Sequence, residues 1–290
     1  AGSEGASKEY RNKFEYDIRY RVLPRCFGNY RVFDEGFTTF EFHEVCVGNS
    51  TMSYEDYFQC RRFNLMVEIF NNGAIFEELL VLLDREEIPR SAFFKKLDET
   101  VYSNESLAHV FREYREDDEK NFWSNKEDLE KFLKTPEAIE KYLSGEYGSN
   151  QIMQTRSLAF IEHIDDVSAI AFAIARELLD DAGAVHERMD DYLDELAQYI
   201  KLKKSDLLSL KQSVQRTFHY DFVKLSDVRF KEDPFDFSIP DGLDISFNYS
   251  DKQFHDISAY FRQYGRSIPG LGHIMHRFYL ASLYRDVHYA

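Results

Sequence analysis

The chain has 290 residues, 43% of them hydrophobic and 30% charged, enough for one large domain or two modest ones. Lysine and arginine number 36 against 52 aspartates and glutamates, a net charge of −16. That balance argues against general binding to nucleic acid or an anionic membrane, because phosphate contact needs a basic face. No apolar run reaches the ~18 residues of a membrane-spanning helix. The first residues, Ala1-Gly2-Ser3-Glu4-Gly5, lack the basic and apolar regions of a signal peptide. These bounds predict a soluble, acidic, cytoplasmic protein without a membrane span. Gly 13 and Pro 6 are too few for a many-stranded sandwich or barrel. Phe 26 and Tyr 19 against Trp 1 are expected to pack cores and interfaces.

Taken in chain order, Ser7–Phe14 reads as a short charged helix. Arg19–Leu23 alternates and meets Pro24, a strand stop, and Gly28-Asn29 is a turn pair. Strands follow at Tyr30–Phe33 and Phe37–Val47, joined through Asp34-Glu35-Gly36, with Phe40 and Phe42 on one face. Ser53 caps a helix carrying Glu55 and Asp56 in its first turn, and Asn72-Gly73 stops it. Phe76–Leu83 predicts a second, apolar helix closed by Pro89. Residues 16–87 thus form a small β-meander with two helices.

Beyond residue 88 the pattern is mostly helical. Ser124 with Glu127 has capping-box spacing, and Thr135-Pro136 places proline at the first helical position. Val167, Ile170, Ala171, Ile174 and Leu178 form a core-facing stripe. Thr217–Leu225 and Asp244–Tyr249 predict a strand pair, with a loop over Lys231–Gly242 between them. Ser250 with Gln253 caps a helix stopped by Gly265, and the last helix runs from about Gly270 to Tyr284. The fold class is therefore mainly α with a small antiparallel β element, α+β.

Chemistry is sparse. Cys26, Cys46 and Cys60 are odd in number and contain no C-x-x-C pair, so they are expected to act as small buried hydrophobes. No histidine follows a glutamate by three positions, which removes the di-iron bundle pattern. His273 and His276 have i, i+3 spacing and could touch one metal, but no third ligand accompanies them. Asp165-Asp166 and Asp180-Asp181 read as solvated helix ends, and Pro269-Gly270-Leu271-Gly272 as a turn between helices. No catalytic, cofactor-binding or metal constellation is complete.

Three ordered stretches carry a resemblance. The first holds Gly2-Ser3-Glu4, Glu9-Tyr10-Arg11 and Arg19-Tyr20-Arg21-Val22-Leu23-Pro24-Arg25-Cys26-Phe27-Gly28-Asn29-Tyr30. The second holds Glu44-Val45-Cys46-Val47, Thr51-Met52-Ser53-Tyr54-Glu55-Asp56-Tyr57, Cys60-Arg61-Arg62-Phe63 and Val67-Glu68-Ile69-Phe70-Asn71-Asn72-Gly73. The third holds Tyr260-Phe261-Arg262-Gln263-Tyr264-Gly265 and Gly270-Leu271-Gly272. Together they resemble the region that follows the radical SAM core in cobalamin-binding-type radical SAM proteins.

The resemblance implies a parent enzyme with a [4Fe–4S] cluster on C-x-x-x-C-x-x-C and S-adenosylmethionine. It further implies cobalamin and a small-molecule substrate in many members, some of them methyltransferases. This chain has neither that cysteine triplet nor a cobalamin Asp-x-His-x-x-Gly. The resemblance therefore places those groups upstream of Ala1, makes residues 1–15 the connection to a missing core, and leaves 88–290 as a mostly helical domain with a minor strand pair near 217–249. The expected function is a C-terminal accessory, substrate-side region, inactive alone, whose partner is the upstream core. Two alternatives stand beside it. One is a free-standing helical interaction or regulatory module. The other is an independent metal-dependent enzyme using a thiol or His273 and His276.

Overall fold

A computed structural model describes residues 4–33, 35–144, 146–184, 186–205, 207–208, 210 and 213–290. Helices dominate and strands are few, the α+β class that the patterning predicts. The elements are α1 (Lys8–Lys13), β1 (Asp17–Val32), β2 (Glu35–Gly48), α2 (Tyr54–Phe70), α3 (Glu77–Arg85), α4 (Arg90–Thr100) and α5 (Glu105–Lys120). There follow α6 (Lys126–Phe132), α7 (Pro136–Ser144), α8 (Gln151–Ile161), α9 (Ile164–Asp181) and α10 (Met189–Lys204). The chain ends with β3 (Val214–Tyr220), α11 (Phe222–Asp227), β4 (Ser238–Asn248), α12 (Asp251–Tyr264), α13 (Ile268–Arg277) and β5 (Asp286–Tyr289). Two compact units result, one of Ala1–Asn64 with Phe111–Ile152, the other of Leu65–Val110 with Met153–Ala290.

In the first unit β1 and β2 pair antiparallel from Asp17↔Gly48 to Val32↔Glu35. The expected meander is therefore one long hairpin. Pro24 does not stop the strand, because the register shifts between Val22 and Phe27 and absorbs it in a bulge. Arg25, at φ 65°, belongs to that bulge, and its N–H donates to the Gly148 carbonyl at 2.8 Å. Gly28 and Asn29 continue the ladder opposite Thr39 and Thr38. Glu35 and Gly36 already belong to β2, while Asp34 and Ala1-Gly2-Ser3 lie outside the described residues.

One face of the hairpin packs Tyr20, Val22, Phe27, Phe40 and Phe42 around buried Leu129 and Leu133, with Trp123 and Tyr142 against them. Phe40 and Phe42 do share a face, with ring centroids 6.2 Å apart. Tyr20 and Trp123 exchange both backbone hydrogen bonds at 2.8 Å, pinning the segment after α5 to β1. Local signals hold for α1, where Ser7 accepts from Tyr10 N–H, and for α2, where Ser53 Oγ accepts from Asp56 N–H at 3.1 Å. At α6 the cap is Asn125, whose side chain accepts from Glu127 and Asp128 N–H, rather than Ser124. The Ser124 hydroxyl is taken by Arg19, which removes it from capping.

In the second unit α9 buries Val167, Ile170, Ala171 and Ile174 as predicted, with Leu179 rather than Leu178 completing the stripe. β3, β4 and β5 form an antiparallel sheet in that order. The expected strand pair is present, with Thr217 opposite Asp244. It ends at Tyr220, because Asp221 caps α11 by accepting from Lys224 N–H. β4 starts inside the expected loop, at Ser238. A register shift between Phe218 and Tyr220 makes room for Pro240 and for Gly242 at φ 77°.

The aromatic surplus collects beneath this sheet. Tyr199 stacks on Phe222 at 4.6 Å, and Phe222 meets Phe218 edge-on at 5.1 Å. The last helix is shorter than expected. α13 ends at Arg277, Phe278 turns extended and stacks on Tyr260, and the chain then returns as β5 beside β4.

The Ser250–Gln253 capping box is complete, and α12 stops at Gly265, φ 80°. Gly270 lies in the first turn of α13 rather than in a turn between helices. A Cβ there would sit 2.2 Å from the Tyr264 carbonyl oxygen, so the backbone of α12 approaches as closely as only glycine permits. Gly270→Ala is expected to destabilise the chain by about 1–3 kcal/mol, read as a lower urea midpoint. Ser250→Ala should cost about 1 kcal/mol by loss of the cap.

Candidate functional site

The most concentrated buried charge in the first unit is the Asp118 carboxylate, 0% exposed. α5 delivers it on the same stripe as buried Phe111 and Tyr114, at i, i+3 and i+7. Two guanidiniums reach it. Arg21 of β1 donates from Nη1 to Oδ1 at 3.0 Å. Arg61 of α2 donates from Nε to Oδ2 at 2.9 Å and from Nη2 to Oδ1 at 3.4 Å. Arg21 lies opposite His43 in the ladder, and its Nε donates to His43 Nε2 at 2.8 Å.

Aromatic faces support both cations, Phe122 under Arg21 and Tyr114 under Arg61, each 5.3 Å from the ring centre. Burial works against the Arg61 charge, but Tyr114 and Asp118 outweigh it and hold the guanidinium above its ordinary value. Burial raises the Tyr57 and Tyr114 phenols, so both stay neutral. Burial, and then the Arg21 charge, push the His43 imidazole below its ordinary 6.5. Neutral His43 is the form that can accept from Arg21.

These two arginines form one wall of a cleft of about 250 Å³. Val22 and Pro24 of β1, Asn121, and residues 148–152 at the start of α8 supply the rest. The hydrogen bond from Arg25 to Gly148 fixes the loop that closes it. Two positive charges meet one negative charge, leaving a surplus of +1 at a wall otherwise lined by amides, hydroxyl and apolar groups.

A second charged cluster lies in the other unit. Lys204, 6% exposed, donates from Nζ to the Ala74 carbonyl at 2.5 Å, to the Ile75 carbonyl at 2.9 Å and to the Glu78 carboxylate. Burial lowers its pKa and Glu78 pulls it back up. An apolar cavity of about 100 Å³ adjoins it, lined by Phe160, Met275, Leu280 and Leu283 among others. All three ammonium hydrogens are engaged, so the group acts as an anchor for the segment leading into α3.

The residues weighed from sequence do not assemble. Cys46 lies opposite Ile18 in the ladder, whereas Cys26 is eight residues further along β1, about 25 Å away at strand spacing. Cys26 and Cys46 are half-buried, and Cys60 is exposed on α2 rather than buried. The three thiols therefore do not fit a [4Fe–4S] cluster. His273 stacks on Tyr264 at 5.7 Å while His276 is exposed.

Asp165 pairs with Lys201 at 2.5 Å, and Asp180 and Asp181 are exposed. Among the described residues no group of three or more His, Cys, Asp or Glu could hold a metal ion. Nor is any helix among them long and apolar enough to cross a membrane. The chain matches no protein-family model and no curated protein sequence.

Asp118→Ala would strand two partly solvated arginines against each other. It is expected to cost about 3 kcal/mol, measured by urea denaturation. His43 carries a sign for pH. Its folded-state pKa lies below the unfolded 6.5, so its contribution is fully present above pH 6.5 and is lost as pH falls through the folded value. His43→Gln keeps an acceptor for Arg21 and should flatten that acid-side decline when urea midpoints at neutral and mildly acidic pH are compared with the parent chain.

Proposed function

We propose that this chain is the C-terminal accessory, substrate-side region of a cytoplasmic radical SAM enzyme of the cobalamin-binding type, and that it is inactive alone. The ordered resemblance at residues 2–30, 44–73 and 260–272 raises the reading, and one structural observation supports it best. The end of the β1–β2 hairpin carries Tyr30, Val32, Phe33 and Phe37, which are 55%, 50%, 96% and 46% exposed. Tyr30 and Phe37 stack on each other at 5.7 Å, and the Tyr30 ring lies over Gly28, yet both rings keep about half of their surface exposed. A two-stranded ribbon ending in an aromatic cluster gains stability by docking. In this reading the hairpin end docks on the parent's radical SAM core. The cluster, S-adenosylmethionine and cobalamin belong to that parent, since the cysteines here cannot supply the iron–sulfur site.

Reading the coding DNA upstream of Ala1 in its source tests this. An open frame carrying C-x-x-x-C-x-x-C is the expected outcome. An in-frame stop followed by a start site at Ala1 overturns it and leaves a free-standing interaction module. At the protein level, the isolated chain is expected to bind an apolar dye. Tyr30→Ser with Phe33→Ser should lower that fluorescence without moving the urea midpoint.

A further inference from the structure

We infer that the cleft between β1, α2 and the start of α8 is a binding site for the oxyanion group, phosphate or carboxylate, of a small molecule. This inference does not rest on the radical SAM reading. It stands on three features of the first unit.

The first is charge. The described residues that line the cleft include Arg21 and Arg61 and no carboxylate. Asp118 lies behind them, fully buried, and cancels only one of the two charges.

The second is donor geometry. A guanidinium carries five N–H donors in a fixed fork. The contacts with Asp118 and His43 engage two on each arginine. Asp118 and the flanking rings hold both forks in place, and each side chain keeps about a fifth of its surface exposed, 20% for Arg21 and 21% for Arg61. The site is thus ordered before any ligand arrives, which lowers the entropy cost of binding.

The third is the opposite wall. Gln151 and Ile152, the first residues of the eleven-residue α8, line the cleft, and the first N–H groups of a helix have no acceptor within it. Asn121 adds a neutral amide.

Size and field define the ligand class. A volume of about 250 Å³ is below the usual range for drug-sized ligands and suits a small anionic metabolite or its head group. The protein's net charge of −16 repels long polyanions, whereas a small anion inside the cleft is within a Debye length, ~8 Å at physiological salt, of the local surplus.

The test is a titration of the full chain with inorganic phosphate, followed through the arginine Nε–H NMR signals, with sodium chloride at matched ionic strength as reference and acetate as the carboxylate arm. Saturable shifts of the Arg21 and Arg61 signals are expected with phosphate. Equal saturation by acetate assigns a general oxyanion site, and saturation by phosphate alone assigns a phosphate site. In Arg21→Gln, Arg61 keeps its two contacts with Asp118, and phosphate binding should weaken about tenfold or more. Shifts no larger than those in chloride overturn the inference, as does an Arg21→Gln chain that binds phosphate as tightly as the parent.

Discussion

One buried carboxylate organises the first unit. A charge like that of Asp118 cannot stay ionised in the interior without partners. Its partners come from β1 and α2, while the carboxylate itself rides on α5. The pairing aligns three elements that sequence separates by 97 and 57 residues. The hairpin can then be long, because one end is fixed by charge and its middle by the aromatic cluster around Leu129 and Leu133.

The second unit meets its constraint with backbone groups. The last carbonyls of α10 lack donors within the helix, and Arg285 supplies them, donating from Nη1 to Leu202 O at 2.7 Å and from its own N–H to Lys203 O at 2.8 Å. Lys204, the last residue of that helix, turns to the carbonyls of Ala74 and Ile75, and Tyr284 donates to Gly73 O.

Local chemistry was legible. The caps at Ser53, Thr135 and Ser250, the Gly73 and Gly265 stops and the α9 stripe depend on spacings of a few residues, and spacing is what a sequence displays, although at α6 it points to Ser124 where Asn125 is the cap. Partners distant in sequence were not. Pro24 reads as a stop unless the bulge opposite Phe40 is known, and Asp286–Tyr289, beyond a last helix that reads to Tyr284, carries no strand signal unless β4 is seen to have a free edge. The cleft was invisible for the same reason. Asp118 sits in the charged run Glu116-Asp117-Asp118-Glu119, where only its i, i+7 relation to Phe111 separates it from exposed neighbours. Arg21 and Arg61 entered only as letters in a resemblance.

The hydrogen bond from Tyr284 to Gly73 spans 211 residues, and Lys204 reaches back 126 to Glu78. Contacts this distant impose a large loop-closure entropy before they return any energy. During synthesis the first unit has all its residues once Ile152 has emerged, whereas in the second Gly73 waits until Tyr284 has followed it out of the ribosome. The order of translation thus sets an order of assembly, in which the Gly73 turn ahead of α3 gains its Tyr284 contact only after the helices between them have been made.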